Sequence, residues 1–180
     1  MSMEIYVFCK KEKIPTTLEL QKAIKDFGFD YTLSKQFNIT NSDFNFYMGD
    51  FEGLESGFDY ILEPYLVENW DFEGDYQDVL KEYDSVAVFG TFSNAQEIVA
   101  MVITASILCH LSDGIMLSDF FFDGEFVKSK EAIENAKYIV ENSREQFDGP
   151  STTRKAVLDN QEDNLLVLQK DFNDVFTQRS

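Results

Sequence analysis

Basic residues are scarce in this chain. Fifteen lysines and arginines stand against 33 acids, for a net charge of −18. So acidic a molecule repels nucleic acid and anionic membranes, and it attracts cationic proteins. Histidine occurs once, as His110, and cysteine twice, as Cys9 and Cys109. Ordinary zinc spacing is excluded by that inventory, and so is a disulfide framework. Both cysteines read as buried free thiols. With 3 prolines and 9 glycines the chain is poor in linkers, and it carries no internal repeat. Residues 1–13 contain no apolar run of signal length. The longest apolar stretch, 98–111, is too short and too interrupted to span a bilayer. The expectation is a soluble, cytoplasmic chain with no cofactor and no bound metal.

What is abundant is ring and acid, concentrated in one place. Residues 41–90 hold 13 acids against the single base Lys81, and 12 of the 27 aromatics, including the only tryptophan, Trp70. Plain solvated acidic tails are poor in aromatics. Acid beside ring suits a surface that holds a basic partner, the charge steering and the rings anchoring.

Hydrophobic content of 44% and a length of 180 residues predict one domain with a real core, 1–150 forming it and 151–180 adding a linker and a C-terminal helix. Residues 3–9 alternate β-branched and aromatic side chains as a strand does. Thr16 and Glu19 form a capping box, followed by an apolar helical face of Leu18, Leu20, Ala23, Ile24 and Phe27 that stops at Gly28. A second strand is expected at 29–33. Residues 43–67 read as a hairpin. Phe44, Phe46 and Met48 line one face of its first strand, and Phe58, Tyr60 and Leu62 one face of its return, all as core, with a turn across 49–57. Pro64 marks an edge.

Residues 68–78 read as an exposed loop and 79–83 as a turn of helix. The run 85–92 predicts a buried strand. Asn94 and Glu97 suggest a second capping box, opening a helix apolar on nearly every face. Asp113-Gly114 closes that helix, with glycine in the left-handed position. A strand at 115–122, an amphipathic helix at 130–146 and a last helix at 156–176 complete the chain. Adjacent strands favour an α+β fold: a mixed or mainly antiparallel sheet of about five to six strands, helices packed on it, one of them central and largely buried. A doubly wound α/β sheet is the alternative.

Catalytic motifs are missing. Cys109 and His110 are neighbours on a helix and point about 100° apart, so they cannot form a nucleophile pair. A helix-end histidine stabilised by the dipole, with Asp113 in reach, is the simpler account. The acids around 71–78 lack EF-hand spacing. The glycines at 49, 53 and 57 are interleaved with acids that would repel a phosphate, and there is no lysine-bearing P-loop. Carboxylate pairs are uninformative among so many acids. Lys10, Lys11 and Lys13 form a small basic cluster that Glu12 splits. Asp113, Asp119, Asp123 and Glu125 could line an acidic pocket, although the aspartates before Gly114 and Gly124 read as turn formers. The chain therefore reads as a binding protein and not an enzyme.

The strand, cap and helix of EIYVFCKKEKIPTTLELQKAIKDFGFD, then SGFDYILEPYL, SVAVFGTF, an apolar helix and its exit HLSDGIMLSD, together resemble small cytosolic immunity proteins of bacterial polymorphic-toxin and contact-dependent growth inhibition systems, over residues 3–140. The resemblance implies a protein without catalytic residues that binds and neutralises one cognate toxin domain. Many such toxins are nucleases with basic grooves, which agrees with the charge argument. The anchors expected are Trp70, Phe72 and Tyr76, with Glu68, Asp71, Glu73 and Asp75 supplying charge, and Asp50, Glu52 and Glu55 of the hairpin turn forming a second, adjoining strip. An acidic nucleic-acid mimic of the anti-restriction type is the competing reading, and an uncharacterised enzyme a third.

Overall fold

The computed structural model describes residues 3–67, 70, 75–92, 94–118, 121 and 125–144, with only the backbone of Asp75. Among these residues seven strands form one antiparallel sheet: β1 (Met3–Cys9), β2 (Tyr31–Thr32), β3 (Asn45–Phe51), β4 (Leu54–Pro64), β5 (Ser85–Thr91), β6 (Ile115–Leu117) and β7 (Val127–Lys128). Their order across the sheet is β2-β3-β4-β5-β1-β6-β7, so β1 and β5 lie near the middle. Among the described residues four α-helices accompany them: α1 (Thr17–Asp26), α2 (Asp75–Leu80), α3 (Ala95–Leu111) and α4 (Ser129–Ser143). The fold is α+β, with more strands than expected. β7 was not anticipated, and β2 and β6 are shorter than their sequence signals. The expected helix at 156–176 lies outside the described residues.

The sheet is buried on both faces. Ile5, Val7, Phe58, Tyr60, Ala87, Phe89 and Met116 face α1, α3 and α4 in the main core. Tyr6, Phe8, Ile61, Val86, Val88, Ile115 and Leu117 form a second cluster on the opposite face. Alternate residues of β1 thus serve two cores, which is why that strand reads as an unbroken apolar run. α3 is the buried central helix, with every residue from Val99 to Cys109 inaccessible to solvent. α2 does not join the other helices: its Leu80 belongs to the second cluster, so helices cover both faces.

Thr16 and Glu19 form their capping box on α1 as expected. α3 is capped differently. Asn94 Oδ1 accepts from the Gln96 N–H at 2.9 Å, while the Glu97 carboxylate accepts from the Thr91 hydroxyl at 2.8 Å. A buried carboxylate needs a donor wherever one is in reach, and here β5 supplies it. At the other end Asp113, not Gly114, takes the left-handed conformation, with φ 51°. Gly114 is needed for proximity: a Cβ there would lie 2.6 Å from the Phe8 carbonyl oxygen.

The hairpin corrects the sequence reading most. Its turn is two residues, Glu52 and Gly53, at φ 53° and 83°, both positive as a type I′ turn requires. In β3 the inward residues are Tyr47 and Phe51. Phe44, Phe46 and Met48 are only half-buried, and Phe44 packs on the second cluster. The inward set also contains Gly49, which makes it look apolar-poor in sequence. That glycine is where Tyr31 lies down: a Cβ would stand 2.6 Å from the Tyr31 hydroxyl and 2.5 Å from the Thr32 carbonyl oxygen.

Candidate partner-binding face

The second face of the sheet is roofed by the connector between β4 and β5. Its ends are clamped together. The Tyr65 N–H donates to the Asp84 carbonyl at 2.8 Å, and the Asp84 carboxylate accepts from the Lys11 N–H at 2.7 Å. Between these points the chain lays rings on the sheet. Tyr65 is buried, edge-on to Phe8 at 5.1 Å between ring centroids. Trp70 meets Tyr6 at 5.3 Å and Phe8 at 5.6 Å, both near-perpendicular, the arrangement aromatic quadrupoles favour. Trp70, expected as a partner anchor, is half-buried and packs against this second cluster.

α2 completes the roof through one side chain, Leu80, which is fully buried. Burying a leucine contributes about 1.5–3 kcal/mol. Tyr76, Gln77, Asp78 and Val79 are exposed. The Tyr76 ring is 42% exposed and rests its edge against Phe126 at 4.9 Å. Tyr76 and Val79, three apart on the helix, present an outward apolar step. Leu66, 50% exposed, and Phe92, 44% exposed, are further large apolar groups at the surface. The sequence reading missed Leu66, Val79 and Phe92. Val79 could have been found from the i, i+3 spacing with Tyr76, once α2 is started at Asp75 and not at 79.

The acids frame these groups. Asp78 pairs with Lys81 at 2.9 Å, and that hydrogen bond and charge hold its carboxyl below the usual range. Glu82 and Asp84 are exposed. Glu63, at the end of β4, is half-buried, and desolvation raises its carboxyl above the ordinary range. From Glu63 to Asp84 the sequence holds eight acids and one base. On the helical side acids and bases nearly balance: α1 carries Lys22 and Lys25 with Glu19 and Asp26, and α4 carries Lys130 and Lys137 with Glu131, Glu134 and Glu141. The connector side is therefore the more acidic side of the sheet.

Of the expected site residues, Glu68, Asp71, Phe72 and Glu73 lie outside the described residues, and Asp75 is placed only as the first residue of α2. Trp70 and Tyr76 do come together on the second face. Asp50, Glu52 and Glu55 do not join them. Asp50 and Glu55 are cross-strand partners beside the turn. Trp70 sits on Tyr6, whose row runs through Val88 to Ile61. From Ile61 to Leu54 is seven residues of strand, about 24 Å at the antiparallel rise. The hairpin turn is a separate acidic tip, not an adjoining strip. Its Glu52 is paired with Arg144 at 2.6 Å, and Asp50 accepts from the Gly53 N–H at 3.0 Å.

The remaining reactive groups have structural partners. His110 Nδ1 lies 2.7 Å from the Ser129 hydroxyl and its ring meets Phe27 edge-on at 4.9 Å. Asp113, the partner expected for it, pairs instead with Lys13 at 3.0 Å. Cys9 and Cys109 are fully buried, and burial pushes both thiols up to about 12. Cys109 Sγ donates to the Gly114 carbonyl at 3.4 Å. In the suggested acidic pocket Asp119 and Asp123 lie outside the described residues, and Glu125 is exposed. Among the described residues no group of three or more histidine, cysteine or carboxylate side chains gathers as metal ligands do, and no helix is long and apolar enough to cross a membrane.

None of the protein-family models, curated proteins or solved structures compared with this chain matches it.

Proposed function

We propose that this chain is a cytoplasmic immunity protein. In this reading it acts by binding and not by catalysis: it neutralises a cognate toxin domain with a cationic surface, of nuclease type, through the acidic connector face. The observation that carries the reading is the concentration of acid on the connector side of the sheet, with exposed Tyr76, Val79 and Leu66 set among the acids of 63–84. The toxin assignment itself comes from the resemblance in layout. A net charge of −18 steers a basic partner at rates above the roughly 10⁵–10⁶ M⁻¹s⁻¹ of unsteered association. Exposed rings then supply the desolvated anchors that limit dissociation. A nucleic-acid mimic would spread its acids round the molecule, whereas here α1 carries as many bases as acids.

The test uses the toxin domain encoded beside this gene. Co-expression is expected to restore growth, and purified proteins to associate with a rate that falls as salt rises. Asp78→Lys with Glu82→Lys should slow association at least ~10-fold at low salt and flatten the salt dependence. Unchanged association in that double variant refutes the placement. Absence of any binding or rescue refutes the function.

A further inference from the structure

The sheet has an incompletely paired edge. β2 is two residues long and pairs only with Asp50 and Phe51 of β3. Among the described strands nothing pairs the outer side of β3 from Asn45 to Gly49. The hairpin fixes which backbone groups point that way. Across a two-residue turn, Phe51 and Leu54 exchange hydrogen bonds, so Gly49 and Tyr47 also turn their amides toward β4. The alternate residues point outward: the Glu52 N–H donates to the Asp30 carbonyl at 3.0 Å, and Asp50 is matched by Thr32. Met48 follows in that series, past the end of β2.

The side chains around this edge select an occupant. Phe44, Phe46 and Met48 are half-buried on the connector side of the sheet, continued by exposed Asp50. On β4, Glu55 stands opposite Asp50, and Asp59 opposite Phe46. A second copy is a poor fit, because it sets two acid-bearing edges, each with exposed Asp43 and Asp50, side by side. Each copy also brings −18. An extended segment whose one face carries apolar residues in the middle and bases toward its ends fits instead. Its apolar side chains would cover Phe46 and Met48, while the end bases meet Asp43 at one end and Asp50 and Glu55 at the other.

We infer that β3 is a strand-addition site, which takes an extended basic segment of the partner protein as an eighth strand. Backbone hydrogen bonds supply affinity and the acid and ring pattern supplies register. The inference rests on the proposed binding of a cationic protein and adds where and how part of it docks.

The probe is a ten-residue peptide with lysine near each end and valine at the alternate positions between, all on one face and with threonine on the other, together with an analogue N-methylated at alternate residues. The analogue keeps the charge but loses one edge of backbone donors. Amide exchange is followed by NMR on the full chain. The inference expects exchange at Met48 to slow at least ~10-fold with the parent peptide and not with the analogue. Met48→Lys, which leaves the backbone intact and blunts an edge by charge, should weaken parent-peptide binding. Met48→Pro, which removes the outward N–H, should do so more strongly. Equal binding of both peptides, with changes confined to Tyr76–Glu82, overturns the edge site and leaves the connector face standing. A Met48 amide protected before any peptide is added also overturns it, since the edge is then already occupied. Sedimentation distinguishes a second copy from another part of the chain. Failure of both peptides to bind at low salt removes the edge site and the cationic-partner reading together.

Discussion

Two glycines of the sheet make opposite predictions for the same substitution. An added Cβ at Gly49 would stand 2.5 Å from the Thr32 carbonyl oxygen and 2.6 Å from the Tyr31 hydroxyl. The first is backbone, and Tyr31 is fully buried, so neither can step aside cheaply. At Gly90 the nearest atom is the Asp59 Cβ at 3.6 Å, an ordinary van der Waals contact. Overpacking of the first kind costs about 1–3 kcal/mol. Replacing a glycine whose site has room instead stabilises by about 0.4–1 kcal/mol, because the unfolded chain loses freedom. With a urea slope of about 2 kcal/mol/M, Gly49→Ala should lower the unfolding midpoint by roughly 0.5–1.5 M, and Gly90→Ala should hold or raise it. Equilibrium urea unfolding followed by far-UV circular dichroism reads both. Equal midpoints for Gly49→Ala and wild type would refute the packing of Tyr31 on Gly49, and with it the inward register of Tyr47 and Phe51.

Trp70→Ala removes two edge-to-face partners, each worth about 0.5–1.5 kcal/mol beyond burial, so a loss of about 2–3 kcal/mol is expected in the same assay, with faster amide exchange in α2. A loss below about 0.5 kcal/mol would mean that the ring does not seat the connector. Glu63 gives a pH dependence: its folded-state affinity for a proton is raised by burial above the ordinary value of 4.5, so the fold favours the protonated acid. Its contribution is present below 4.5 and is lost as pH rises through the higher folded value. Glu63→Gln should therefore gain stability over wild type as pH climbs from about 4.5 towards neutrality, and thermal melts with a pH-independent difference would contradict this. Cys9 and Cys109 should resist a disulfide reagent in the native state at pH 8 and react together on unfolding. Rapid native labelling of either one would contradict their burial.

Much of the fold is written locally. Thr16 and Glu19 mark the start of α1, and the continuous apolar runs of β1, β5 and α3 announce elements covered on both sides. β3 misleads because both of its faces carry rings. Choosing between Phe44-Phe46-Met48 and Tyr47-Gly49-Phe51 requires knowing that Tyr31, 18 residues before Gly49 in the chain, fills the space over the glycine. Glu97 misleads for a similar reason: its capping geometry was available, but Thr91 of β5 offered a donor inside the core. At the site, the acid-and-ring composition is legible without a structure. Its division into a connector face and a distant hairpin tip depends on the length of β4. Trp70 could not be assigned to the core from sequence because irregular spacing between acids hides a ring that packs by tertiary contact alone.

Among the described side chains of α2 only Leu80 is buried, while Tyr76, Gln77, Asp78 and Val79 are exposed. Surface substitutions away from special features typically change stability by no more than about 0.5 kcal/mol. Four consecutive positions are thus available to change identity while the anchor stays constant. For a protein that must track a changing partner, this separates heritable variation in recognition from the requirement to fold. New specificities can accumulate in those positions without a compensating change in the sheet beneath them.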